Sequence, residues 1–341
     1  MTAPPGHLTP VTPPPPPPRR RSRPIIRFTA AALLTLLVAV AAVPDLLGLD
    51  RLSPFAQLVP FRPWILVAVL GLLVLLLVVL WFRRGAWPFV AGVLAVLLAG
   101  TAMVLPRTIA DPLPTAGAPL TVLAFNTYEG SADPAQLAEL IAATRPDVVS
   151  LSESGQAYRS RIAPLVEPLG YRLHTSTPPG RDDVAGVTAV VSEELGDVQV
   201  QYGAEAPFPY VVVTGGGLGP LRFVAFHSVA PVPGSVPQWL TDLARLEQWC
   251  GGPEPVVVAG DFNATLDHSA LRSSMAGCRD AAAQRGAGLV PTWGPTPRTR
   301  AIGPQIDHVI ATEGIAPETF SVHDIAGSDH RAVVTRLRLP G

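Results

Sequence analysis

The hydrophobic pattern divides the chain into an apolar first third and a longer part made of short alternating runs. Residues 28–43, 64–82 and 86–105 contain no charged side chain, and the second and third of these segments are 19 and 20 residues long. A helix of about 20 residues crosses the roughly 30 Å hydrocarbon core of a bilayer. We therefore expect three transmembrane helices within residues 25–106. The first segment is also typical of a cleavable signal peptide, but the two apolar segments behind it favour a retained helix.

Beyond residue 120 the pattern changes to short β-type runs separated by turn residues. Residues 133–145 and 237–249 have helical spacing instead, and the first of them offers Asp133 as N-cap with Pro134 at the first helical position. The sequence thus predicts one mixed α/β domain over residues 120–341, long enough to bury a complete core. The eight predicted strands cover residues 120–125, 148–152, 187–192, 210–214, 221–226, 255–259, 306–311 and 332–337.

Composition and charge support this division. The chain is 48% hydrophobic and only 15% charged, with a mean hydropathy of +0.34, which excludes a disordered or fibrous protein. Residues 1–120 carry ten Arg and three Asp, a net charge of +7, whereas the rest carries 15 Arg and 23 acidic residues, a net charge of −8. Residues 1–24 are rich in Pro and Arg and are expected to form a disordered cytoplasmic tail. The Pro-containing residues 107–119 are expected to form a linker.

The arginines also set the expected orientation. Clusters at residues 19–27 and at Arg83 and Arg84 flank the apolar segments, and such clusters stay on the cytoplasmic side of a membrane. Three crossings put both clusters inside, so we expect a multi-pass plasma-membrane protein with a cytoplasmic N-terminus and an extracytoplasmic domain. An oxidising compartment permits a disulfide between Cys250 and Cys278. Two free buried thiols are the alternative.

Most of the predicted strands end in polar side chains that suit metal and phosphate chemistry, and strand ends are where α/β sheets build sites. Carboxylate and amide oxygens without a thiolate cluster favour Mg²⁺ or Mn²⁺ over structural zinc, and two histidines beside such a metal could act as base and acid. Each residue alone has a more ordinary explanation as a turn former, a solvated strand end or a hydrogen-bonded histidine. Their order along the chain is what predicts a phosphoester hydrolase. The residues are Asn126, Glu153, His227, Asp261, Asn263, Asp307, Asp329 and His330.

In this order the motifs A-F-N, L-S-E, F-H-S, G-D-F-N, I-D-H and S-D-H resemble the endonuclease/exonuclease/phosphatase superfamily over roughly residues 119–339. The resemblance implies a four-layer α/β sandwich, in which two packed mixed β-sheets are flanked by helices. It also implies hydrolysis of a phosphoester with Mg²⁺ or Mn²⁺ as cofactor. By resemblance the metal side consists of Asn126, Glu153 and Asp329, and the catalytic residues are His227, Asp261, Asn263, Asp307 and His330.

Three features depart from the pattern of the superfamily. Tyr128 and Glu129 stand where many of its nucleases carry a second acidic or Arg contact. The acid that supports the first catalytic histidine has no identifiable equivalent; Asp182 and Asp183 are candidates, although surface solvation explains them equally well. Arg181 could bind phosphate or have no role at all.

The expected substrate class follows from charge and anchoring. A net charge of −8 over residues 121–341 disfavours nucleic acid, because nonspecific binding depends on basic side chains that neutralise phosphates. Three spans hold the domain at the bilayer and raise the effective concentration of a lipid-borne phosphate. The architecture is similar to membrane-anchored actinobacterial members linked to glycopeptide resistance, which implies a polyprenyl pyrophosphate as substrate. The alternatives are an extracytoplasmic endonuclease or phospholipase-type phosphodiesterase, and a catalytically silent, membrane-displayed binding domain.

Overall fold

The computed structural model describes residues 22–178, 181–203 and 208–340. Of the predicted N-terminal tail, residues 1–21 lie outside the described residues, whereas Ser22 begins the first helix. Within the described ranges, three helices are long and apolar enough to cross a membrane. The helices of this part are α1 (Ser22–Ala42), the short α2 (Phe55–Leu58), α3 (Arg62–Phe82) and α4 (Trp87–Val104), of which α1, α3 and α4 are the candidate spans.

Twelve strands and seven further α-helices follow within the described ranges. The strands are β1 (Pro119–Asn126), β2 (Val148–Ser152), β3 (Tyr171–Ser176), β4 (Val187–Ser192), β5 (Val198–Gly203), β6 (Tyr210–Gly215), β7 (Arg222–His227), β8 (Val256–Asp261), β9 (Cys278–Asp280), β10 (Asp307–Thr312), β11 (Ala316–Asp324) and β12 (Arg331–Arg338). The helices are α5 (Pro134–Thr144), α6 (Gln156–Val166), α7 (Val236–Ala244), α8 (Leu246–Cys250), α9 (Ser269–Ser274), α10 (Ala281–Gln284) and α11 (Pro297–Arg300). As expected, α5 starts after Asp133, whose side chain accepts a hydrogen bond of 2.9 Å from the Ala135 backbone N–H.

The strands form two six-stranded mixed sheets, in the orders β11-β12-β1-β2-β4-β3 and β5-β6-β7-β8-β10-β9. The pairs β1/β2 and β7/β8 are parallel, so within each sheet the carboxyl ends of two neighbouring strands lie side by side. Strand β10 runs antiparallel to β8 and begins at the same end, because Asp307 pairs with Asp261. Each sheet therefore has one end at which residues from several strands meet.

Three apolar clusters account for the packing of the sheets. One lies between them and takes residues from both, such as Val122 and Val257. A second packs the outer face of the first sheet against α5 and α6, and a third packs the outer face of the second sheet against α7, α8 and α9. Successive side chains of a strand point to opposite faces, so the inner strands contribute to two clusters at once. The layers run helix, sheet, sheet, helix, which confirms the predicted four-layer α/β sandwich.

The eight predicted strands correspond to the eight inner strands of the two sheets. The four edge strands, β3, β5, β9 and β11, are not predicted by the hydrophobic pattern. The prediction of one helix over residues 237–249 is also wrong, because the structure divides this segment into α7 and α8. At the break the Arg245 N–H bonds to the carbonyl of Asp242, three residues back, which tightens the turn.

Cys250 and Cys278 form a disulfide, with Cα atoms 5.3 Å apart. Of the two alternatives that the sequence leaves open, the structure therefore has the bridge. It ties the end of α8 to the start of β9, the edge strand of the second sheet.

The predicted linker starts in a packed turn. Arg107 is buried, and its Nη2 lies 2.7 Å from Oδ1 of Asp267 in the α/β domain. The candidate spans and the domain are thus joined by side-chain contacts as well as by the chain itself.

Candidate active site

The strand ends of the two sheets converge on one place. In the second sheet, His227 ends β7 and Asp261 ends β8, and the ladder pairs Asp261 with His227 on one side and with Asp307 on the other. In the first sheet, Asn126 ends β1. The amide nitrogen of Asn126 lies 2.9 Å from Oδ2 of Asp261. This contact joins the functional ends of the two sheets.

His330 is fixed through one ring nitrogen and through its backbone. Its Nδ1 lies 2.9 Å from Oδ2 of Asp307, and its backbone N–H donates to Oγ of Ser328 over 2.9 Å. Because a carboxylate only accepts, Nδ1 carries the proton of this pair. The other nitrogen, Nε2, faces Oδ2 of Asp261 at 3.7 Å and Oδ1 of Asp329 at 3.9 Å. Nε2 is therefore the atom of His330 that is available for chemistry.

The pKa values of His330 and Asp261 are both raised, but from different causes. Burial by itself lowers the pKa of His330, but the carboxylates of Asp307 and Asp261 outweigh burial and hold this pKa well above its usual range. Burial raises the pKa of Asp261, against the opposing effect of the His330 charge. The charge of each of these two buried groups therefore affects the pKa of the other, as in acid and base partners.

His227 is buried and electrically neutral. Its Nε2 lies 3.8 Å from Oδ2 of Asp261, and its ring stacks on Phe208 with centroids 4.3 Å apart and planes at 6°. Burial, and after it the charge of His330, lowers the pKa of His227 to about 3. Among the described residues its Nδ1 has no hydrogen-bond partner. His227 thus presents an uncharged imidazole to the site.

Glu153 stands beside this group at the end of the first sheet. Its Oε1 accepts a hydrogen bond of 3.1 Å from the Asn126 amide, and its Oε2 accepts one of 2.7 Å from the Glu129 N–H. The amide oxygen of Asn126 accepts from the Tyr128 N–H at 2.9 Å, so its nitrogen faces the carboxylates of Glu153 and Asp261. In this orientation Asn126 positions two carboxylates, and a direct contact of Asn126 with a metal stays a prediction. Burial raises the pKa of Glu153.

Asn263 supports Asp261 from the following turn. Its backbone N–H donates to Oδ1 of Asp261 over 2.8 Å, and its amide nitrogen reaches Oδ2 of Asp261 at 3.3 Å and the Ser228 carbonyl at 3.0 Å. The Gly before Asp261 is required here, since a Cβ at Gly260 would lie 1.9 Å from the carbonyl oxygen of Phe226. The G-D-F-N motif thus fixes the carboxylate at the centre of the site.

Backbone strain is concentrated in the same region. Four of the five described non-glycine residues with left-handed φ angles lie here, with φ between 45° and 53°, and each such residue costs on the order of 1–3 kcal/mol. Strain of this kind persists where surrounding contacts hold a functional geometry. The four residues are Tyr128, Glu129, Glu153 and Asn263.

The side chains present fit a divalent cation. Four carboxylates lie around one histidine, and Oδ1 of Asp329 is buried without a hydrogen-bond partner among the described residues. The ligand atoms of Asp261, Asp307 and His330 lie within 4.8 Å of one another, but His330 and Asp307 already bond to each other. Glu153 and Asp329 are the carboxylates that could hold Mg²⁺ or Mn²⁺, which prefer oxygen ligands.

Trp293 belongs to the site and is missing from the sequence prediction. Its Nε1 donates to Oδ2 of Asp329 over 2.9 Å, and the Gly294 N–H donates to the Asp329 carbonyl over 3.1 Å. The residue lies in a loop without strand periodicity, so its only sequence signal is its position shortly before the I-D-H motif. An indole N–H here orients a carboxylate that could bind metal.

Two other polar residues near the predicted motifs have structural contacts. His308, next to Asp307, turns away from the site and lies 2.9 Å from Oδ2 of Asp280 through Nδ1. Asp183, a candidate support for His227, instead accepts a hydrogen bond of 3.2 Å from the Tyr158 N–H in α6. Asp182, the second candidate, is exposed.

Comparison with known proteins agrees with this geometry. The model of the Endonuclease/Exonuclease/phosphatase family matches residues 123–330, while no curated protein matches the sequence. A D. rerio TDP2 humanised by 14 mutations is similar in structure with a TM-score of 0.52 and 18% identity, over 64% of this chain and 99% of that chain. D. rerio TDP2 complexed with single-strand DNA product has a TM-score of 0.51 and 17% identity, over 65% of this chain and 99% of that chain. An endonuclease/exonuclease/phosphatase family protein from Leptotrichia buccalis has a TM-score of 0.50 and 13% identity, over 64% of this chain and 100% of that chain. The chain belongs to the endonuclease/exonuclease/phosphatase family, whose members hydrolyse phosphoester bonds and are generally dependent on divalent metal ions.

Proposed function

We propose that this chain is a membrane-anchored, Mg²⁺- or Mn²⁺-dependent phosphohydrolase whose site lies on the outer face of the plasma membrane and acts on a lipid-linked pyrophosphate. The observation that carries the hydrolytic part is the buried pair of His330 and Asp307, 2.9 Å apart, with Asp261 at 3.7 Å from the free ring nitrogen. A polyprenyl pyrophosphate is the substrate class that we favour.

The chain's own residues divide the chemistry between them. Glu153 and Asp329 would hold the cation, which supplies polarisation of a phosphoryl oxygen and neutralises developing charge. Water adds to phosphorus as the bond to the leaving oxygen breaks. We assign the proton that leaves the water to the Asp261 and His330 pair, which returns it to the leaving oxygen.

Two further residues stabilise the reacting phosphoryl group in this proposal. His227 is neutral, since burial lowers its pKa to about 3, and its Nε2 side faces Asp261. It can donate a hydrogen bond to the transition state or to the leaving oxygen without bringing a second positive charge. Asn263, half-buried beside Asp261, would contact an equatorial phosphoryl oxygen.

The lipid-linked substrate and the outer location rest on charge, anchoring and the disulfide. Three apolar helices precede the domain, and the net charge of −8 over residues 121–341 opposes binding to a nucleic-acid backbone. A disulfide between Cys250 and Cys278 is compatible with an oxidising compartment. These observations favour a phosphate presented by the membrane over one presented by DNA or RNA.

A direct test uses the full-length protein in detergent with bis-p-nitrophenyl phosphate and Mg²⁺. We expect hydrolysis that is lost in EDTA and lost again in H330A. The matched control is H323A, because His323 lies on edge strand β11 and contacts Ser321 rather than the site. Hydrolysis that persists in EDTA, or in H330A at the level of H323A, would refute the proposed chemistry.

A further inference from the structure

The end of the second sheet that carries the site rests on residues 43–61, which join α1 to α3, and on the first residue of α3. Two of the contacts come from the loop that follows β8 and contains Asn263. Nε2 of His268 lies 2.9 Å from the Ala56 carbonyl, and Oδ1 of Asp267 lies 2.9 Å from Nη1 of Arg62.

Two other loops at the site touch the membrane part of the chain. The loop after His227 accepts a hydrogen bond at the Pro231 carbonyl from the side chain of Gln57. The loop over residues 291–305 accepts one at the Ile302 carbonyl from Nε1 of Trp64, over 2.9 Å. The site is therefore bordered on both sides by loops that rest on the outer end of the membrane helices.

The loop over residues 291–305 connects the membrane contact directly to the site. At one end Trp293 bonds to Asp329, and further along Nη1 of Arg300 donates to the His330 carbonyl over 3.0 Å. Two residues later, Ile302 meets Trp64. A few residues thus separate the side chains that hold the reacting groups from those at the level of the bilayer surface.

Buried ion pairs hold the domain in this orientation. Arg62 is fully buried and pairs with Asp45 and Asp267. Arg107 lies 2.7 Å from the same oxygen of Asp267, and Arg272 lies 2.6 Å from Oδ2 of Asp45. Separating the domain from the helices would break the two ion pairs that Asp267 forms with Arg62 and Arg107. These pairs therefore hold the domain against the outer ends of the candidate spans.

Two loop tips that border the site and the first turn of α3 expose apolar side chains. Val232 is 55% exposed, and Trp64 and Ile302 are both 53% exposed. Trp64 lies in the first turn of α3, where tryptophan anchors a helix at the membrane surface. Beside it, a crevice of about 170 Å³ between α3 and the loop over residues 291–305 is lined by apolar residues such as Leu289 and Ile302 and also by the ion pair of Arg107 and Asp267.

We propose that Trp64, Val232 and Ile302 form a lipid-contact rim that dips into the outer leaflet beside the active site. The rim receives the hydrocarbon chain of a lipid-borne phosphate or pyrophosphate while the phosphates reach Glu153 and Asp329. The membrane contact rests on α3 as a proposed span, and the part about substrate rests in addition on the proposed hydrolase function. The continuity of the rim with the membrane helix α3 identifies lipid, rather than a protein, as its occupant.

The first test compares substrates in full-length protein in lipid nanodiscs. We expect I302Q and V232Q to lower the ratio of the rate with a long-chain polyprenyl pyrophosphate to the rate with bis-p-nitrophenyl phosphate by about tenfold. The matched control is Y202Q, because Tyr202 is also 53% exposed but lies on edge strand β5, which takes part in none of the contacts above. An unchanged ratio in both rim variants would overturn the role in substrate entry.

The second test reads membrane depth and does not need activity. A fluorophore attached at I302C should be quenched by lipids that carry a nitroxide in the upper acyl chain, whereas the same label at Y202C should not be. Equal quenching at the two positions, or none at Ile302, would overturn the rim. If the unaltered protein hydrolyses neither substrate but the label at I302C is still quenched, the proposed function is disproved. The membrane contact then remains.

Discussion

Asp261 connects the two halves of the site. It accepts hydrogen bonds from the Asn126 amide at 2.9 Å and from the Asn263 N–H at 2.8 Å. The nearest ring nitrogens of His227 and His330 lie 3.8 Å and 3.7 Å from Oδ2, the oxygen that accepts from Asn126. One carboxylate thus contacts or faces four residues from different strand ends and turns, and changes to these neighbours test how the site works.

Replacing Asp307 by Asn should separate orientation of His330 from its chemistry. The variant removes the carboxylate that holds Nδ1 and that, after burial, contributes most to the pKa of His330. We expect kcat to fall by about 10²–10⁴-fold and the pKa of His330 to drop, so that the basic limb of the kcat profile moves to lower pH. Steady-state kinetics against pH measures both.

The control for this variant is D197N, at an exposed residue just before β5. It should leave the profile unchanged. A D307N protein with normal kcat, or with the basic limb unmoved, contradicts the assignment of Asp307 as the positioning residue of His330.

Trp293 gives a second prediction at the scale of single residues. W293F keeps an aromatic ring at this position but removes the indole N–H that bonds to Asp329. Loss of such a supporting hydrogen bond weakens metal binding by about 10–100-fold, so the Mg²⁺ concentration for half-maximal hydrolysis should rise by that factor. W81F serves as control, since Trp81 is 84% exposed at the end of α3. Equal Mg²⁺ requirements in the two variants would show that Trp293 plays no part in metal binding.

At the scale of elements, the sequence predicts what is apolar and continuous. The inner strands, such as β8 with six buried residues, have runs of Val and Ala that identify them. The edge strands are half polar, since β5 exposes or half-exposes all six of its residues, and this pattern is typical of loops as well. Residues after inner strands, including Asn126 and Asp261, are therefore predictable, whereas Trp293 and Phe208 reach the site from loops.

The contact between β10 and β9 predicts a pH dependence of stability. Nδ1 and Nε2 of His308 lie 2.9 Å from an Asp280 oxygen and 2.9 Å from the Ala264 carbonyl. Both partners only accept, so the buried ring is doubly protonated. Burial lowers the pKa of His308, but Asp280 outweighs burial and raises it. A raised pKa stabilises the fold fully below the unfolded value of about 6.5, and this stabilisation is lost as pH rises through the folded value.

D280N tests this contact, because the amide keeps an oxygen for the Ala283 N–H, which Asp280 caps at 2.7 Å. The free energy of unfolding should fall by about 3 kcal/mol at pH 6, and the difference from the unaltered protein should shrink as pH rises. Thermal unfolding in detergent at several pH values measures it. A difference that is constant from pH 6 to pH 10 would show that His308 is not charged in the fold.

At the scale of the whole molecule, hydropathy predicts the three candidate spans, but it gives no indication that the domain packs onto them. The contacts of Arg62 and Asp267 join residues from different parts of the chain, and neither residue belongs to a recognisable motif. Apolar length is a local property, whereas ion pairs across 205 positions depend on the completed fold. The packing of the domain against the candidate spans is therefore visible only in the structure.

The orientation of the whole chain is testable with fusions. Alkaline phosphatase attached after residue 340 should be active, because it folds only outside the cytoplasm, and a fluorescent protein attached before α1 should fluoresce. We expect the N-terminus in the cytoplasm because residues 19–27 are rich in Arg, and such clusters stay on the cytoplasmic side. If the C-terminal alkaline phosphatase is inactive, and a fluorescent protein attached at the same C-terminal position fluoresces, the proposed topology is reversed.

The central claim is that the chain is a metal-dependent hydrolase of a lipid-linked pyrophosphate. The most direct measurement compares, in one preparation of full-length protein in nanodiscs with Mg²⁺, phosphate release from a polyprenyl pyrophosphate and nicking of supercoiled plasmid DNA. We predict phosphate release that disappears in EDTA and in H330A, with the plasmid left intact. Nicked plasmid with no phosphate release would contradict the claim and favour a nuclease, and neither activity would favour a catalytically silent binding domain.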